Sequence, residues 1–116
     1  MRVLFDNSTP RGIALSLHGH EVAEARVHGW DRLENGELLY AAEQAGYDVL
    51  VTPDQNIRYQ QNLAGRKIAL VVLGKGRWTL VKPHVPQIVE AVNAATPGSY
   101  AEVEMQLPQK KPFTRT

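Results

Sequence analysis

The segment Ile68-Ala69-Leu70-Val71-Val72-Leu73 constrains the fold more than any other part of the chain. Six apolar residues in succession leave no polar face, and the run is too short for a buried helix. Such a segment belongs in the middle of a parallel sheet, where helices cover both sides. Val3-Leu4-Phe5 and Val49-Leu50-Val51-Thr52 have the same character and read as two more buried strands. Glu21 to Ala25 is a weaker fourth. Ala101, Val103, Met105 and Leu107 alternate with Glu102, Glu104 and Gln106, the period of a half-exposed edge strand.

Helical patterns fall between these strands. Thr9 can cap a helix that Pro10 opens and Gly19 ends, with Ile13, Ala14 and Leu17 on one face. The polar stretch Arg26 to Glu34 reads as a loop. Asn35 can cap the next helix, which carries Leu38, Leu39, Ala42 and Ala45 inward and stops at Gly46. Asp54 can cap a third, from Gln55 to Leu63, ending at Gly65. Gly74-Lys75-Gly76-Arg77-Trp78 is a basic, glycine-rich loop. Pro83 suits the start of a last helix with Val85, Ile88, Val89 and Val92 on one side, broken at Pro97-Gly98. Strand and helix alternate throughout. The expectation is therefore an α/β three-layer sandwich: a mainly parallel sheet, helices on both faces, right-handed crossovers.

At 116 residues the chain corresponds to one domain, residues 1–107. A short basic tail at 108–116 is expected to be disordered. Thirteen basic and twelve acidic residues leave a formal charge of +1, so net charge selects no partner and the distribution of charge must. The absence of cysteine excludes disulfides, thiol catalysis and Cys-type zinc sites, and fits a reducing compartment. With no signal-peptide core and no apolar run of membrane-spanning length, a cytoplasmic protein with no membrane partner is expected.

Ligands of open parallel sheets gather beyond the carboxyl ends of the strands. Those ends deliver Asp6 and Asn7 from the first strand, Thr52 and Asp54 from the third, and Lys75 and Arg77 from the fourth. Asn35 and Glu37 open a helix on the same rim. Carboxylates converging there repel one another unless a cation joins them, and hard divalent ions such as Mg²⁺ accept partial carboxylate cages completed by water. A metal so held activates water and stabilises charge on a phosphate. Arg26, Arg58, Lys75 and Arg77 are candidates to hold a phosphodiester backbone, and Tyr59 or Trp78 to stack on a base. Plainer roles compete. Asp54 and Asn35 suit helix caps, and Glu37 is favoured by the helix dipole alone. The four histidines show no ligand spacing, and Gly74-Lys75-Gly76 lacks the spacing of a P-loop.

Four segments in order resemble a small family of PIN-like proteins related to toxin nucleases. They are Val3-Leu4-Phe5-Asp6-Asn7 with Pro10, Gly19-His20-Glu21-Val22, Asn35-Gly36-Glu37-Leu38-Leu39 with Ala42, and Val49-Leu50-Val51-Thr52-Pro53-Asp54 with Asn56 and Ile57. The resemblance covers roughly residues 1 to 105. It implies a PIN-like fold with an Mg²⁺ or Mn²⁺ site at the strand ends and ribonuclease activity on RNA, in many relatives as a toxin neutralised by a small antitoxin protein. It also implies that Asp6 and Asp54 ligate the metal, that Glu37 completes the acidic set, and that Thr52 positions Asp54 or a metal-bound water. The chain departs from the pattern at Asn7, Asn35, Asn56 and Ile57, and each amide in place of a carboxylate removes charge that would hold the ion. Two functions follow: a metal-dependent ribonuclease with a partly degenerate site, or a catalytically silent module binding RNA or a partner protein. A small-molecule phosphate binder using the glycine-rich loop is a third. The alternating last strand suits pairing across a homodimer.

Overall fold

A computed structural model describes residues 1–33, 35–55, 57, 63 and 65–105. Its strands are β1 (Arg2–Phe5), β2 (Glu21–Glu24), β3 (Val49–Thr52), β4 (Ala69–Leu73) and β5 (Tyr100–Val103). They form one sheet in the order β2-β1-β3-β4-β5, and every neighbouring pair is parallel. Among the described residues the α-helices are α1 (Asn35–Gln44), α2 (Trp78–Val81) and α3 (Val85–Asn93). The α/β sandwich expected from the alternation is present. Among the described residues no helix is long and apolar enough to cross a membrane.

The register sorts the side chains into two faces. Leu4, Leu50 and Leu70 stand abreast across β1, β3 and β4, and pack with Leu38, Leu39 and Ala42 of α1 and with Ile57. Phe5, Val51 and Val71 line the opposite face, under Ile13 and Leu17 and under Val85, Ile88 and Val92 of α3. All four residues of β3 and all five of β4 are buried, which explains why these runs carry no polar alternation. β5 lies at one edge, with Val103 buried and Tyr100 and Glu102 exposed.

The connections depart from expectation in one respect. The β2-to-β3 connection, through α1, and the β3-to-β4 connection, through Ile57, step the same way across the sheet and cross the same face. The β1-to-β2 connection steps the other way over the opposite face, which is the same hand. The last connection steps in the direction of the earlier two, yet α3 crosses the opposite face. Its hand is therefore reversed. Parallel crossovers are almost always of one hand, and here the fourth is opposite to the other three. The physical reason lies in coverage. The first connection is only a six-residue 3-10 helix, Arg11–Ser16, too short to cover the Phe5–Val51–Val71 face, and α3 packs against that turn to complete the layer.

Several local expectations also change. Thr9 caps no α-helix: Pro10 is extended, the segment is 3-10, and the buried Thr9 hydroxyl donates to the Val51 carbonyl instead at 2.7 Å. Within the expected loop at 26–34, residues Ala25–His28 form a 3-10 turn closed by Gly29. Helical structure after β4 begins at Trp78, so Pro83 falls inside a 3-10 link, Lys82–His84, with α3 behind it. The expected helix from Gln55 to Leu63 lies mostly outside the described residues, as do Leu107 and the tail at 108–116.

Candidate active site

The site grows from the end of β1. The Asp6 amide donates to the Val51 carbonyl at 3.1 Å, adding one more rung beyond Phe5, and the Asp6 carbonyl accepts from the Thr9 amide at 2.9 Å. The chain thus turns sharply at 6–9 while its carboxylate stays at the sheet edge. Asp6 Oδ1 accepts from the Ser8 amide at 3.3 Å, the local turn that Asp side chains favour. Asp6 Oδ2 accepts from the Thr52 hydroxyl at 2.6 Å. The same hydroxyl oxygen accepts from the Asp54 amide at 3.0 Å. Asp54 N–H, Thr52 O–H and the Asp6 carboxylate therefore form one directed line, in which each bond polarises the next. Thr52 is buried at the end of β3, so its hydroxyl finds its partners within the protein.

This line borders a cleft of about 510 Å³ at the β1/β3 boundary, where the connections leave to opposite sides of the sheet and open a crevice. Asp6, Asn7 and Ser8 form one wall, Pro53 and Asp54 another, and Leu33 and Leu38 supply apolar surface. Asp31 closes it from a third side. Its backbone is held there by Asn7, whose Nδ2 donates to the Asp31 carbonyl at 2.9 Å.

The residues expected to act together are only partly brought together. Asp6, Thr52 and Asp54 share the site. Glu37 is exposed in the first turn of α1 and does not line the cleft, whereas its neighbour Leu38 does. Among the described residues, no three His, Cys, Asp or Glu side chains gather closely enough to hold one metal ion. Asp6 nevertheless keeps acceptor capacity, because a carboxylate offers about four lone-pair sites and hydrogen bonds from Ser8 and Thr52 occupy two of them. Asp6 thus keeps room for a further donor or a cation, and Asp54 lines the same cleft.

Lys75 and Arg77 are exposed on the loop after β4, and this loop is pressed against the cleft wall. A Cβ on Gly76 would lie 3.2 Å from the Pro53 side chain and 3.3 Å from the Ser8 carbonyl oxygen, so glycine permits the close approach. Gln55 fastens the loop, its Nε2 donating to the Gly74 carbonyl at 2.7 Å. Arg26 instead sits on the turn after β2, 3.3 Å from the Glu24 carboxylate. Arg58, Tyr59 and Asn56 lie outside the described residues, as does the Asn35 side chain. Two of the histidines hold structure: His28 stacks on Trp30 at 4.3 Å and shares a hydrogen bond with the Tyr47 hydroxyl, and His20 bonds the Asn93 side chain.

Sequence reasoning missed Asp31, Ser8 and Gln55. Asp31 follows no strand and opens no helix, so only its contact with Asn7 marks it. Compared with family models, with curated proteins and with solved structures, the chain finds no match in any of the three.

Proposed function

We propose that this chain is a PIN-like, divalent-metal-dependent ribonuclease working with a reduced acidic set. The observation that carries the reading is the hydrogen-bonded line from Asp54 through Thr52 to Asp6, which fixes two carboxylate-bearing residues on one cleft at the switch point of a parallel sheet. Mg²⁺ or Mn²⁺ held by Asp6 and Asp54 would supply an activated water and offset charge on the phosphate. The chain's own residues do the rest. Thr52 orients the Asp6 carboxylate and anchors the backbone of Asp54. Lys75 and Arg77, on a loop packed against Ser8 and Pro53, stabilise negative charge developing on the phosphate oxygens. Leu33 and Leu38 give one wall of the cleft an apolar surface.

Purified protein with Mn²⁺ is expected to cut single-stranded RNA slowly, with EDTA stopping the reaction and Asp54→Asn abolishing it. Asn56→Asp, which restores a carboxylate, is expected to raise cleavage rate and metal affinity together. A protein that binds Mn²⁺ but leaves every RNA intact, in both wild type and Asn56→Asp, sinks the nuclease reading. The other reading, a silent RNA- or protein-binding module, is favoured by the lack of a third converging carboxylate among the described residues.

A further inference from the structure

The basic and acidic residues are unevenly distributed along the chain. From Gln55 to Val89 there are six Lys or Arg and no Asp or Glu. Of the other cations among the described residues, Arg32 and Lys67 are also exposed, and four are engaged. Arg11 and Arg26 both pair with Glu24, Arg66 pairs with Glu43, and Arg2 bonds the Ala45 carbonyl and lies over the Tyr47 ring. Lys75, Arg77 and Lys82 are exposed and enter no ion pair among the described residues. They follow one another along a single stretch that starts at the cleft wall, where Gly76 abuts Pro53 and Ser8.

Trp78 lies within this stretch. A Cβ on Gly12 would come within 2.5 Å of the Trp78 benzo ring, so the indole lies directly against the backbone of the first 3-10 helix. Its position is fixed from that side, and 37% of the residue remains open to solvent. Trp78 and Lys82, four residues apart in a continuous helical run, share one side of it. An aromatic ring held from behind, flanked by unpaired cations, is what single-stranded nucleic acid uses: bases stack on the ring and cations follow the backbone.

We propose that Lys75, Arg77, Trp78 and Lys82 form a track that leads a single-stranded polynucleotide away from the Asp6–Asp54 cleft. The proposal rests on the reading of that cleft as a phosphodiester site and adds the path of the substrate to it. On the β2 side Arg11 and Arg26 are neutralised by Glu24 and Arg32 stands alone, whereas the β4 side gathers three unpaired cations and a ring along one stretch.

The test is binding without cleavage. A fluorescein-labelled oligothymidylate of about twelve nucleotides is titrated into full-length protein in EDTA and followed by anisotropy. Binding is expected to weaken with salt. The double variant Lys75→Ala/Arg77→Ala should lose roughly tenfold in affinity and lower the salt slope by about 1.4, the share of two phosphate contacts on a single strand, with an unchanged melting curve. Arg11→Ala should bind as wild type. Trp78 emission should be quenched on binding, and the quench should vanish in Trp78→Phe, which keeps a ring in place. Wild-type affinity and salt slope in the double variant would overturn the track. So would binding with no change in tryptophan emission, or capture of anionic lipid vesicles, and not the strand, through the same two cations. Strand binding in EDTA with no RNA cleavage in Mn²⁺ upholds the track and removes the nuclease. RNA cleavage in Mn²⁺ together with wild-type strand affinity and salt slope in Lys75→Ala/Arg77→Ala does the reverse.

Discussion

Thr52 shows how much one side chain can organise. Its hydroxyl donates to Asp6 and accepts from the Asp54 amide, while its methyl group remains buried. Thr52→Val keeps the shape and removes both bonds, leaving an amide and a carboxylate oxygen short of a partner at the rim. The expected destabilisation in urea unfolding is about 1–3 kcal/mol, with Thr52→Ser recovering most of it. Equal unfolding midpoints for valine and serine variants would show that the line holds nothing. Gly12 gives a second residue-scale prediction. Gly12→Ala must push the Trp78 ring aside, so tryptophan emission should shift to the red while the melting temperature falls little, because the far end of one side chain can move. Neither contact is visible in the sequence. Thr52 was legible as a strand-end residue beside Asp54, since local spacing puts them together. Its bond to Asp6 joins residues 46 positions apart, and only the β1–β3 register creates it.

Elements were legible where burial alone decides them. The apolar runs at β1, β3 and β4 can be nothing but strands, and the period-two pattern placed β5 at an edge. The turn after Asp6 was misread because Pro10 and the Ile13/Leu17 spacing suit an α-helix, whereas the Thr9 hydroxyl gains more from the buried Val51 carbonyl than from a cap. Asp31 was not legible, since a loop residue has no periodicity to betray its direction. At this scale α3 and β5 make different contributions. Ile88 is fully buried between α3 and the sheet, so Ile88→Ala should cost about 2–5 kcal/mol. Tyr100, on the open edge and 39% exposed, should cost much less on truncation to alanine. Comparable losses for the two would mean that β5 is covered by a second copy of the chain, and sedimentation at high concentration would then show a dimer.

At the scale of the whole molecule, a bound ion should act as a stabiliser. If Mn²⁺ binds the native cleft and not the unfolded chain, melting should shift by the equivalent of about 2.7 kcal/mol at a hundredfold excess over the dissociation constant, and Asp6→Asn should remove the response. An unshifted melting curve in saturating Mn²⁺ would leave the cleft without a metal. The reversed hand of the last crossover has a consequence for the order of assembly. Strands β1 to β4 wind one way and can pair as they appear, but the Phe5–Val51–Val71 face stays half bare until α3 arrives from the far end of the sequence. During synthesis, at roughly 5–20 residues per second, that face waits seconds for its cover. In the finished molecule the same segment is the natural first point of opening, so α3 and β5 amides should exchange with solvent at lower free energy than those of β1, β3 and β4. The chain is closed by its last third, which reaches back over its first turn, and a nascent or partly opened molecule presents to its surroundings the apolar valines and Phe5 that the finished one hides.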